Sequence, residues 1–193
     1  MNFLAHLFLS CEREELMIGN FIADFVRNKD LARYEAGVVE GVYLHRKIDH
    51  YTDNHPIVRQ GSHRLRARHG KYAPVLIDLF YDYLLVQHWN QYSSLPLQQF
   101  VDQTYQTLER NIHLMPTKLQ QILPHWIADN WLPGYGTDDG LAFAIHRMKR
   151  RVSKPDLLND PIVSLKENFE ALDIEFQQFF PEVQAFVKAA CGC

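Results

Sequence analysis

Residues 38–53 place the tightest constraint on what this chain can fold into. Val38, Val42 and Ile48 recur at the spacing of one helix face, and the same stripe carries His45 and Asp49. A buried imidazole and carboxylate one turn apart are costly unless a partner compensates them, and a cation is one such partner. The segment therefore predicts a helix that contributes either to a metal site or to a His–Asp pair that locks the core.

The rest of the chain also predicts helices. Residues 72–89 are apolar almost all round, which is typical of a helix in the protein interior. Asp160 and Pro161 predict the start of a long C-terminal helix, and Pro181 is expected to end it. Alternating β patterns and hairpin dipeptides are absent. We expect an all-α fold, a single-domain helical bundle over residues 1–193, with about seven to nine helices.

Several carboxylates fall among apolar residues where packing alone does not explain them. Asp78 and Asp82 are four residues apart in the apolar segment, where like charges repel. One of them is expected to take up a proton unless a cation or a nearby Arg46 compensates it. Asp24, between Ala23 and Phe25, is either a helix N-cap or a functional group.

These segments bring a set of polar side chains to expected core positions, and two histidines with several carboxylates suit Mn²⁺, Fe²⁺ or Zn²⁺. The excess of oxygen ligands favours Mn²⁺ or Fe²⁺. The sequence has no nucleophile elbow, Walker loop, dinucleotide fingerprint, Cys-x-x-Cys pair or His-Glu-x-x-His motif. The pattern favours a metallohydrolase, and its candidate residues are His6, Asp24, His45, Asp49, Asp78 and Asp82.

Charge is unevenly distributed although the formal net charge is only −3. Two basic clusters could steer an acidic partner, or each could be a solvated helix face. The first cluster consists of Arg59, Arg64, Arg66, Arg68 and Lys71, and the second of Arg147, Lys149, Arg150, Arg151 and Lys154.

The sequence shows no pattern typical of a membrane span or of a signal peptide. No stretch approaches the ~20 apolar residues of a membrane span. The first residues lack the basic region of a signal peptide, so a cytoplasmic protein is expected. The terminal Cys-Gly-Cys, residues 191–193, is interpreted as a frayed end of the chain.

Three longer sequence motifs indicate a family, which residue spacing alone does not. Met-Asn-Phe-Leu-Ala-His at 1–6, Gly-Asn-Phe-Ile-Ala-Asp-Phe-Val-Arg at 19–27 and His-Arg-Lys-Ile-Asp-His-Tyr-Thr-Asp-Asn-His-Pro at 45–56 resemble the acyl carrier protein phosphodiesterase family. Residues 78–89 and the aromatic C-terminal segment resemble it too, so the likeness covers essentially the whole chain. The family is regarded as a non-canonical branch of the HD-domain phosphohydrolases. This chain lacks the adjacent His-Asp dipeptide of that class.

The resemblance implies hydrolysis of the phosphodiester that joins 4′-phosphopantetheine to the serine of holo-acyl carrier protein, with Mn²⁺ as cofactor. Together with the helix-face argument, the resemblance implies that the metal ligands are His6, Asp24, His45, Asp49 and Asp78. Asp82 is then a further ligand, a residue that orients one, or the catalytic base, and Arg46 is a candidate phosphate clamp or a solvated side chain. The acidic carrier protein would dock on Arg64, Arg66, Arg68, Arg150 and Arg151. A nucleic-acid partner is not expected.

Two other interpretations stay open. One is an HD-type phosphohydrolase that acts on nucleotides or another small phosphodiester. The other is a helical binding module for an acidic protein or RNA, in which His45 and Asp49 are inert core residues.

Overall fold

The computed structural model describes residues 1–192, and within them the chain is helical with no strand. The all-α prediction is confirmed, and the likeness to an HD domain stays a prediction. The expected number of seven to nine helices is too low, because four of the twelve described helices have seven or fewer residues, too few to show a clear helical period. In chain order the helices are α1 (Phe3–Phe8), α2 (Glu14–Ile22), α3 (Ala36–Asn54), α4 (Pro56–His69), α5 (Ala73–Gln87), α6 (Trp89–Tyr92), α7 (Leu97–Arg110), α8 (Thr117–Ala128), α9 (Trp131–Gly134), α10 (Asp138–Lys149), α11 (Pro161–Glu167) and α12 (Phe169–Cys191).

The core is one contiguous cluster of buried apolar residues that spans the chain from Met1 to Val187. Helix α5 lies inside it, as its apolar composition predicts, and the rings of Phe80 and Tyr81 are fully buried. A single shared core accords with the single-domain prediction. Among the described residues, no helix is long and apolar enough to span a membrane.

The C-terminal region differs from its prediction. The helix that starts at Pro161 ends at Glu167, and a new helix, α12, begins at Phe169 and passes through Pro181. Pro181 is exposed, and Val183 beyond it is fully buried, so continued burial of the apolar face outweighs the hydrogen bond that proline removes. The prediction that Pro181 ends the helix is therefore wrong. Cys191 is the last residue of α12 rather than part of a frayed end, and Cys193 lies outside the described residues.

Close contact between α2 and α3 fixes the geometry around the predicted site. A Cβ atom on Gly19 would lie 2.0 Å from the carbonyl oxygen of Val38 and 2.7 Å from the Cα of Gly41. Only residues without a side chain permit this approach. As a result, Asn20 of α2 lies against His45 of α3.

Helix α1 is anchored to α5 by Asp82. The carboxylate of Asp82 is fully buried and accepts hydrogen bonds from the backbone N–H groups of Leu4, at 2.8 Å, and Ala5, at 3.2 Å. The first N–H groups of a helix have no partner within the helix, so this carboxylate satisfies two of them. Since His6 follows directly in α1, Asp82 also fixes the position of that imidazole.

Removal of this anchor should destabilise the fold. We expect Asp82→Ala to lower the free energy of unfolding by about 2–4 kcal/mol, because two buried N–H groups lose their acceptor. Urea denaturation followed by circular dichroism measures the change. Asp102→Ala, at an exposed position of α7, is the control and should cost less than about 0.5 kcal/mol. A loss below about 1 kcal/mol for Asp82→Ala would contradict the anchoring role.

Candidate metal centre

His6, His45 and Asp49 converge on one point. Their potential ligand atoms all lie within 4.8 Å of one another. The Nε2 atom of His6 is 3.0 Å from Oδ1 of Asp49, and the Nε2 atom of His45 is 3.1 Å from Oδ2 of the same carboxylate. The two imidazole rings stack with their centroids 3.9 Å apart. The arrangement is a compact set of two nitrogen ligands and one carboxylate, a composition common at sites for first-row divalent metals.

The orientation of His45 is set by Asn20. The Nδ1 atom of His45 lies 2.9 Å from the backbone oxygen of Asn20 and 3.0 Å from its side-chain oxygen. Both partners are acceptors, so Nδ1 carries the proton and donates it, which directs Nε2 toward the carboxylates. The amide nitrogen of Asn20 donates to the backbone oxygen of His6 at 2.7 Å. Such supporting contacts orient histidine ligands at metal centres.

Sequence reasoning did not select Asn20 as a site residue. Its amide is a polar group within the apolar segment of residues 17–26, and this was the signal that could have identified it. The residue is buried, with 1% of its surface exposed.

The charges in the cluster are strongly coupled. Burial acts to lower the pKa of His45, but hydrogen bonds to Asp24 and Asp49 raise it to about 9. Burial and the neighbouring His45 lower the pKa of His6 to about 4. Burial acts to raise the pKa of Asp49, but hydrogen bonds from both imidazoles hold it below its ordinary value. In the protein alone, a proton on His45 thus supplies the positive charge that the carboxylates require.

The donor set fits a divalent cation on chemical grounds. His6 is already neutral near pH 7, as a metal ligand must be, and a bound cation would displace the proton from His45. The Nδ1 atom of His6 is buried and has no hydrogen-bond partner among the described residues. A metal on Nε2 would leave that atom unpaired, so His6 has no counterpart of the Asn20 contact that orients His45.

The other predicted ligands, Asp24 and Asp78, lie at the edge of this cluster. Oδ1 of Asp24 is 3.4 Å from Nε2 of His45, and the Asp24 side chain is 68% exposed. Asp78 accepts a hydrogen bond from the α-ammonium of Met1 at 2.8 Å, and that ammonium lies 3.7 Å from Asp49. The expectation of a core position is wrong for Asp24, whereas Asp78 is half-buried at the cavity wall, where burial raises its pKa against the effect of the Met1 ammonium. Their roles as ligands stay predictions.

Asp82 and Arg46 lie apart from the cluster. Burial raises the pKa of Asp82 to about 7, against the effect of the N–H groups of Leu4 and Ala5, and the side chain is fully buried. Arg46 rests on the ring of Tyr43, 5.6 Å from its centroid, in a separate groove beside α12. Neither side chain lines the cavity of the predicted ligands. The catalytic roles predicted for both stay predictions, with no contact to the cluster that supports them.

A cavity of about 480 Å³ opens beside the cluster. Asp24, Asp49 and Asp78 form part of its wall, together with aromatic residues, the α-ammonium of Met1 and two basic side chains, Arg147 and Arg151. Arg147 was recognised in the sequence only as a member of a basic cluster. Its place in this cavity depends on the packing of α10 against distant segments, which no local pattern encodes.

The predicted docking residues differ in their surroundings. Arg64 forms a bidentate ion pair with Glu175, at 2.6 and 2.9 Å, and Arg68 lies 3.2 Å from Glu167. Arg66, Arg150 and Arg151 are exposed. The charges of Arg64 and Arg68 are thus largely neutralised by glutamates of the same chain. Docking by all five residues stays a prediction.

The fold and the cluster together define an all-helical protein with a candidate divalent-metal centre of two histidines and an aspartate. The model of one family, described as "Acyl carrier protein phosphodiesterase", matches residues 1–183. Curated proteins of that name from Salmonella newport (strain SL254) and Salmonella typhimurium (strain LT2) are each 34% identical over 186 residues, which is 96% of either chain. The chain belongs to the acyl carrier protein phosphodiesterase family. No solved structure is significantly similar to it.

Proposed function

We propose that this protein hydrolyses the phosphodiester between 4′-phosphopantetheine and the serine of holo-acyl carrier protein. The products are apo-acyl carrier protein and 4′-phosphopantetheine. The observation that carries the proposal is the convergence of His6, His45 and Asp49 beside a cavity, in a chain that belongs to this family. Membership of the family supports the substrate, and the donor set supports the chemistry.

The cofactor of this proposal is Mn²⁺, with Fe²⁺ or Zn²⁺ as alternatives. His6, His45 and Asp49 would hold the ion, and Asp24, 3.4 Å from His45, and Asp78 are the further candidate ligands. A bound divalent cation supplies a Lewis acid for a phosphoryl oxygen and lowers the pKa of coordinated water.

The chain's own residues prepare the site for this chemistry. Asn20 holds the Nδ1 proton of His45, so that Nε2 is directed toward the carboxylates. Asp82 anchors α1 and thereby fixes His6. His45 is therefore held in orientation and the backbone of His6 in position, and prearranged ligands need not reorganise during the reaction.

The test is a direct measurement of the carrier protein's mass. Purified chain is incubated with Mn²⁺ and either holo-acyl carrier protein or a panel of nucleotides, and the products are followed by intact-mass spectrometry and chromatography. The proposal predicts that the carrier loses the mass of its prosthetic group while nucleotides persist. Turnover of nucleotides with an unchanged carrier would instead identify a nucleotide phosphohydrolase.

We further propose that the acidic carrier docks beside the cavity, on the exposed Arg150 and Arg151, since Arg151 also lines the cavity wall. Arg151→Glu should lower kcat/KM about tenfold at low salt and flatten its dependence on ionic strength. The measurement is a salt series of initial rates. Arg59→Glu, at an exposed position of α4 outside the predicted docking residues, is the matched variant with little expected effect, and an equal loss in Arg59→Glu would contradict docking beside the cavity.

A further inference from the structure

The cavity beside the metal cluster is lined by both charged groups and aromatic rings. Trp126, Trp131 and other aromatic residues contribute to its wall, as do five aspartates, Asp24, Asp49, Asp53, Asp78 and Asp129. Its volume, about 480 Å³, is within the range of roughly 300–1,000 Å³ that small-molecule sites occupy. A ligand that combines a charged group with an apolar chain would match this mixed lining.

Two large apolar residues of the cavity are unusually exposed. Phe143 has 54% and Val75 has 40% of its surface in contact with solvent, and both line the cavity. Exposed apolar surface around a pocket often marks a contact with a ligand or a partner. Here the two side chains would be covered by a chain that lies in the cavity.

Two hydrogen-bond donors in the cavity wall are incompletely paired. The indole nitrogen of Trp131 is buried without a partner among the described residues, and the buried amide nitrogen of Asn2 lies near the hydroxyl of Tyr135 without a well-formed hydrogen bond. Both residues line the cavity. Buried N–H groups are costly to leave unpaired, so two of them at one cavity indicate a ligand that supplies acceptors such as amide carbonyl oxygens.

Arg147 is a cation held in place without an acidic partner. Its guanidinium lies 4.8 Å from the centroid of the Trp126 ring and 5.8 Å from that of Phe143. In the described part of the chain it makes no ion pair, although five carboxylates line the same cavity. Stacking on the rings fixes the guanidinium while its N–H groups stay free for an anion.

We propose that this cavity binds the 4′-phosphopantetheine arm itself: Arg147 binds the phosphate, and Asn2 and Trp131 donate to the amide carbonyls. The aromatic wall covers the aliphatic part of the arm. The inference rests on the proposed function and deepens it. It assigns the residues that recognise the arm independently of the carrier protein.

The experiment measures binding of three probes to the full Mn²⁺-loaded chain by isothermal titration calorimetry. The probes are pantetheine, 4′-phosphopantetheine and inorganic phosphate. Trp131→Phe, which keeps an aromatic ring but removes the N–H, should weaken both arm-containing probes about fivefold to tenfold and leave phosphate unchanged. Arg147→Gln should weaken 4′-phosphopantetheine and phosphate about tenfold or more and leave pantetheine within about twofold.

The exposed Arg59→Gln, on α4, is the matched control and should leave all three affinities unchanged. Asn2→Ala gives a second test of the arm donors if Trp131→Phe does not fold. The inference is overturned if pantetheine fails to bind the wild type, or if the variants weaken all probes equally. Failure of the proposed function would be seen separately, as an unchanged carrier mass with wild-type chain.

Discussion

Replacement of Asp49 by alanine should lower kcat/KM for holo-acyl carrier protein by at least about 10³-fold. Among the described residues, Asp49 alone pairs with both imidazoles, through different oxygens, at 3.0 and 3.1 Å. Its loss would remove a proposed ligand and the negative charge that faces the other two, so the effect should exceed the roughly 10–100-fold typical of supporting residues. Steady-state rates with saturating Mn²⁺, followed by the mass of the carrier, measure the change.

The stability of the same variant separates a metal site from an inert core pair. The Asp49 side chain is 39% exposed at the cavity wall, so we expect its truncation to cost less than about 2 kcal/mol of unfolding free energy. Glu40→Ala is the matched control, because Glu40 is an exposed carboxylate on the same helix and pairs with Arg13 at the surface. Asp49→Ala with nearly normal activity and a large loss of stability would favour the inert pair.

Removal of divalent metal should have the second large effect. We expect exhaustive chelation to lower the activity of the wild-type chain by at least about 100-fold, and added Mn²⁺ to restore it. His45→Ala should stay inactive at the same Mn²⁺ concentration, because it lacks one of the two nitrogen ligands. The activity of Asn20→Ala with added Mn²⁺ should lie between those of the wild type and His45→Ala. This variant keeps the proposed ligands but loses the hydrogen bonds to Nδ1 of His45. Full activity after chelation would contradict the metal-dependent mechanism.

Spacing in the sequence predicted part of this site well. His45 and Asp49 are one turn apart on α3, and helix geometry alone brings them together. Their approach to His6 depends on tertiary contacts, above all the anchoring of α1 by Asp82 and the glycine contact between α2 and α3. The interpretation of the chain as helical, with polar residues on inward faces, selected three residues that the structure brings together, His6, His45 and Asp49.

Other features could not be predicted from local patterns. Asp82 shares its apolar helix with Asp78, and only the fold distinguishes a carboxylate that caps α1 from one that faces a cavity. Arg46 directly follows His45 but lies on another face of α3, beside Tyr43. Arg147 is distant in sequence from every predicted ligand, so only the folded chain places it in the cavity.

Metal content measured on protein purified without a metal-chelating tag tests the central claim most directly. Elemental analysis, followed by titration with Mn²⁺, should give at least about one transition-metal ion per wild-type chain and a much weaker site in Asp49→Ala. Wild-type protein that carries no metal and fails to bind added Mn²⁺ would contradict the claim that His6, His45 and Asp49 form a metal centre.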